Sequence, residues 1–169
     1  MTKMKKKSGS KDYTEAFLKS NRDYHYNLEE GAEPYLVSSG SMILDHVLGG
    51  GFGSGLHRFI GANEGGKTNE ALHVMHNMLK TVENSKGLFV MAEGRLSQEI
   101  KDRAGIKFVQ SAEDWDVGTC LVLECHIMDT MIDFLRGLLK NNPDKEKFCI
   151  VIDSMDGLIT KEDLEKGSS

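Results

Sequence analysis

The eight residues Gly61-Ala62-Asn63-Glu64-Gly65-Gly66-Lys67-Thr68 fit the pattern G-x-x-x-x-G-K-[ST] in full, and they constrain this chain more than any other feature. The pattern belongs between a strand and a helix. Its glycines let the backbone curl so that successive N–H groups point at phosphate oxygens, and the helix N-terminus adds the positive end of its dipole. The flanks read accordingly: Leu56-His57-Arg58-Phe59-Ile60 reads as a strand, and from about residue 66 to 82 the side chains Ala71, Leu72, Met75, Leu79 and Val82 fall on one helical face. In such a loop Lys67 reaches the β- and γ-phosphates of a nucleotide, and the Thr68 hydroxyl ligates Mg²⁺.

Strand and helix signals keep alternating after the loop. Residues 86–92 (KGLFVMA) form a short apolar strand, followed by a helix that begins near Leu96-Ser97 and closes at Gly105. Residues 106–109 and 120–123 are weaker strand candidates. Met128, Met131, Ile132, Leu135, Leu138 and Leu139 line one face of a helix that Asn141-Asn142-Pro143 stops, and residues 148–152 (FCIVI) are a continuous apolar strand. Runs of that kind are buried on both faces, which makes the class α/β with a mainly parallel sheet flanked by helices.

Upstream, residues 1–11 are mostly Lys, Ser and Gly and carry no periodicity. Asp12 with Glu15 resembles a capping pair for a short helix to about Ser20 that bears Tyr13, Phe17 and Leu18. Met42 to Leu48 reads as one or two helical turns, and Gly49 to Gly55, with five glycines, holds no regular structure: it is a connector or a loop shaping a site's mouth.

Composition narrows the class. The chain has 169 residues, 39% of them hydrophobic, enough for one domain or part of one. No apolar run approaches the roughly 18 residues of a membrane span, and the Lys-rich start lacks an apolar signal core. Cys120, Cys125 and Cys149 are too few and too irregular for a disulfide framework, so a cytoplasmic setting with no membrane is expected. The net charge of −5 hides a basic head, since six Lys precede residue 20. A solvated terminus accounts for it. His73 and His76 share a helix face without an evident third ligand and read as ordinary helix histidines, while Trp115, among Glu113, Asp114 and Asp116, reads as a loop residue.

Two acids complete the chemistry. Asp153 ends the 148–152 strand, where a carboxylate at the sheet's carboxyl edge holds the Mg²⁺ shell; Asp156 reads as a turn acid. Glu93 ends the 86–92 strand at the same edge, placed either to orient an attacking water or to pair with Arg95.

These blocks, in order VSSGSMILD at 37–45, the glycine loop, Gly61 to Thr68, FVMAEGRL at 89–96 and IVIDSMDGLITK at 150–161, resemble the RecA family of ATP-dependent DNA recombinases, including its phage members. The resemblance runs from about residue 36 to the end. It implies a RecA-type core at 36–169 after an arm and short helix at 1–35, with ATP held by Gly61 to Thr68 and Asn69, Mg²⁺ by Thr68 and Asp153, and Lys67 and Glu93 as the catalytic pair. It implies also a homo-oligomer or filament on single-stranded DNA, a role in recombination and repair, an N-terminal helix docking on the next subunit and, for a phage protein, residence in the host cytoplasm. The chain departs from the family at Ile100, where an aromatic residue stacks on adenine, and at Asn69, which follows Thr68 in place of a second hydroxyl. The later strands, with their DNA-binding loops and a γ-phosphate-sensing glutamine, have no counterpart before Ser169, so the chain is expected to be an N-terminal part with an open sheet edge, weak stability or self-association. Two other readings stay open: a non-catalytic nucleotide-binding assembly module, and a P-loop small-molecule kinase, for which Arg58, Arg95, Arg103 and Arg136 form no cluster.

Overall fold

The computed structural model describes residues 10–20, 35–94 and 96–167. The chain divides into two compact units, residues 1–34 and 35–169. In the first, helix α1 (Ser10–Ser20) starts two residues before the expected cap, so Asp12 lies inside it, and Glu15 pairs with Lys19 at 2.7 Å. Tyr13 and Phe17 are exposed.

The second unit opens on a clasp. Asp45 sits in the six-residue helix α2 (Met42–Val47), whose N-cap is Ser41, and its carboxylate accepts the Ser38 hydroxyl at 2.5 Å and the Ser39 amide at 2.7 Å. Those donors favour the ionised form and lower its pKa, the Ser38 hydroxyl most. The glycine-rich loop is tied as well. Gly50 N–H reaches Asp45 O at 2.7 Å, and Val37 and Phe52 exchange backbone bonds of 2.8 and 2.7 Å in an isolated antiparallel bridge.

Helix α3 (Lys67–Thr81) follows the phosphate-loop motif, and four strands then build one sheet: β1 (Ser85–Met91), β2 (Lys107–Val109), β3 (Thr119–Glu124) and β4 (Lys147–Asp153). Their order is β2-β3-β1-β4, and all pairs are parallel. Helix α4 (Gln98–Ala104) joins β1 to β2, and α5 (Met128–Lys140) joins β3 to β4. A 3₁₀ turn (Met155–Gly157) and α6 (Lys161–Gly167) come after.

The period-2 alternation of β1 builds a core on each face. Phe89 packs with Leu72 and Met75 of α3, Ile100 and Ala104 of α4, and Cys120. Leu88 and Val90 pack the other way, with Leu121, Val109 and Met131, against Ile132, Leu135 and Leu138 of α5. Burying each of the central Leu88, Phe89 and Val90 contributes about 2 kcal/mol. The result is the α/β class read from the sequence, a parallel sheet between two helical layers. No helix among the described residues is long and apolar enough to cross a membrane.

Two expectations are corrected. The strand at Leu56–Ile60 does not form: Leu56 is 99% and Ile60 80% exposed, and these residues pair with no strand. The segment folds back on its own loop instead. His57 meets Phe52 edge-on at 5.0 Å and puts Nε2 2.9 Å from Gly53 O, and Phe59 lies 5.7 Å from the Phe52 ring. Trp115, read as a loop residue among acids, turns inward: Nε1–H donates to Gly87 O at 2.8 Å, and the ring lies 5.9 Å from Phe148 and packs on the α5-side core.

Candidate phosphate-binding site

The start of α3 carries the site. Gly66 is its N-cap in the left-handed region, φ 83°, and no side chain caps the helix, so the first-turn N–H groups keep the anion-binding arrangement the motif predicts. Glu64, at φ 60°, turns the chain before it, and Gly65 N–H closes the turn on Ala62 O at 3.2 Å. Across this turn, which Asn63 completes, the Lys67 ammonium donates to Gly61 O at 3.0 Å and Ala62 O at 2.8 Å.

One contact joins the two halves of the sequence pattern. Thr68 Oγ1 donates to Asp153 Oδ2 at 2.9 Å, across 85 positions of chain. Asp153 is the last residue of β4, and its carbonyl accepts Ala92 N–H at 2.9 Å and Glu93 N–H at 3.4 Å, which brings the end of β1 to the same edge. Glu93 is exposed there and takes the Ser154 hydroxyl on Oε2 at 3.4 Å. A hydroxyl and a carboxylate side by side are hard oxygen donors of the kind Mg²⁺ takes, with phosphate oxygens and water completing its shell. The residues therefore fit that ion, although no group of three His, Cys, Asp or Glu among the described residues forms a protein-only metal cage.

Other candidates fall elsewhere. Asn69 points away, to a cavity of about 280 Å³ that Ile100, His73, His76 and Arg103 also line. The His73 and His76 rings are 6.5 Å apart, and His76 Nδ1 lies 3.1 Å from Gly105 O. Asp156 is exposed in the 3₁₀ turn. Arg95, the alternative partner of Glu93, lies outside the described residues.

Sequence reasoning missed two neighbours. Ser154 carries no motif of its own beyond following Asp153. His126 sits just past β3 at the sheet edge where ligands collect, which was a usable signal. Its Nδ1 lies 2.7 Å from Ala92 O and its Nε2 3.2 Å from Glu124 Oε1, and these acceptors, Ala92 O first, raise its pKa.

The chain is 32% identical over 138 residues to the DNA repair and recombination protein RadB of Methanosphaera stadtmanae, a match covering 80% of this chain and 56% of that protein. The chain thus spans little more than half the length of that relative. No family model matches, and no solved structure matches. Together with a four-stranded parallel sheet flanked by helices, the similarity supports a relationship to the RecA family.

Proposed function

We propose that this chain is an ATP-binding, ATP-hydrolysing protein of RecA type that acts in DNA recombination and repair and couples to single-stranded DNA as an oligomer or filament. The observation that carries the reading is the 2.9 Å bond from Thr68 to Asp153, with Glu93 at the same edge. The similarity to a DNA repair and recombination protein supports the DNA side.

In this mechanism the N–H groups of Gly61 to Thr68 hold the nucleotide's phosphates, and Lys67 leaves the Gly61 and Ala62 carbonyls for the β- and γ-phosphate oxygens. Thr68 and Asp153 would hold Mg²⁺, which would neutralise charge on the phosphates. Glu93 accepts a hydrogen bond from the attacking water and aims it at the γ-phosphorus, a role worth about 10²- to 10⁴-fold in rate.

The test is Mg²⁺-ATP hydrolysis by the chain with and without single-stranded DNA, beside Lys67→Ala and Glu93→Gln. DNA-stimulated turnover, lost in both variants, is the expected result. A folded chain that binds ATP through Lys67 but never turns it over would overturn it. One observation favours that second reading, a non-catalytic assembly module: Leu56–Ile60 lies unpaired, so no strand braces the loop from behind.

A further inference from the structure

The position of Glu93 depends on a residue with no side chain. A Cβ built on Gly157 would overlap Glu93 Cγ and stand 2.8 Å from Ala92 O and 2.9 Å from Glu93 Cδ, all closer than unbonded carbon and oxygen atoms pack. The Glu93 stem therefore lies directly on the bare Cα of Gly157. The same turn holds Glu93 at two further points, its amide on Asp153 O at 3.4 Å and its carboxylate under the Ser154 hydroxyl at 3.4 Å.

We propose that Gly157 is a positioning residue for Glu93: the turn from Asp153 to Gly157 fixes that carboxylate's rotamer, and it can do so only while position 157 lacks a side chain. Glu93 follows β1 and Asp153 ends β4, so one five-residue turn sets both acids of the site relative to each other. Gly157 does not occupy the left-handed region, so the effect of an alanine there comes from its contacts, the larger with the Glu93 stem and the smaller with Ala92 O. The proposal rests on the reading of Glu93 as the water-orienting carboxylate.

The experiment compares Gly157→Ala and Glu93→Ala, singly and together, in the full chain. Thermal unfolding, binding of a fluorescent ATP analogue and DNA-stimulated Mg²⁺-ATP turnover are read for each. Gly157→Ala is expected to lower Tm by about 2–4 °C when Glu93 is present and by less when Glu93→Ala has removed the stem and only the Ala92 O contact remains. Analogue Kd should stay within about twofold while kcat falls about 10- to 100-fold, as expected when a catalytic group is misplaced by about 1 Å. Equal Tm losses in both backgrounds, unchanged turnover, or binding that falls in step with turnover would each overturn the proposal. A wild-type chain without turnover would overturn the ATPase reading alone, and the coupling in Tm then decides the contact by itself.

Discussion

Both ring nitrogens of His126 face acceptors, Ala92 O and the Glu124 carboxylate, but a neutral imidazole has only one N–H to give. The protonated ring satisfies both, so the folded chain holds that proton more tightly than the unfolded one. The stabilisation is full below the ordinary value of 6.5 and is lost as pH rises through the raised folded value. An NMR titration should put the His126 midpoint above 6.5 and lower it in Glu124→Gln; a midpoint at or below 6.5 would contradict the geometry. Asp45 works with the opposite sign, since its lowered pKa makes the clasp's stability disappear as pH falls below 3.8. Residue types at motif spacing were legible, and the structure brings Thr68 to 2.9 Å from Asp153 with Glu93 at the same edge. The direction of a side chain was not legible. Three acids around Trp115 suggested a solvated loop, yet the indole donates to Gly87 O from the inside. Nor could spacing reveal that Gly157 and Glu93, far apart in sequence, touch.

At the scale of elements, the sequence spoke clearly wherever a segment could bury its own pattern. Strands β1 and β4 have continuous apolar runs, and α5 has apolar residues three and four apart, so each carried its assignment locally. The small cap on α4 was equally readable, with Ser97 accepting Ile100 N–H at 3.3 Å and Gly105 left-handed beyond it. Leu56–Ile60 differs because a strand is defined by its partner. Its residue types suit a strand, but Phe52, fixed by the bridge to Val37, draws His57 and Phe59 onto the loop. Amides of residues 56–60 should therefore exchange with solvent in seconds, on the order of unprotected peptide, while those of β1 exchange orders of magnitude more slowly. Hydrogen exchange followed by NMR reads this, and protection of 56–60 matching that of β1 would contradict the observed pairing.

The whole 35–169 unit is a three-layer arrangement in which Thr68, Asp153 and Glu93 meet at the carboxyl ends of β1 and β4. Apolar surface is left uncovered in two places. β4 is half-buried along its whole length at the sheet's edge, and α2 leaves Met42, Ile43 and Val47 at 75–89% exposure. The family resemblance raised the expectation of an open edge. It could not show which strand would border it, because that pairing depends on contacts distant in the chain. What unites the unit is the claim that a loop at 61–68 and an acid at 153 form a single Mg²⁺-nucleotide site. Calorimetric titration of Mg²⁺-ATP into the wild type, Thr68→Ala, Asp153→Ala and the double variant tests it most directly. Each single change should weaken binding about tenfold or more, and the double change little further than the worse single one, because both remove parts of the same ion's shell. Losses that simply add, or binding that ignores both residues, would contradict the account.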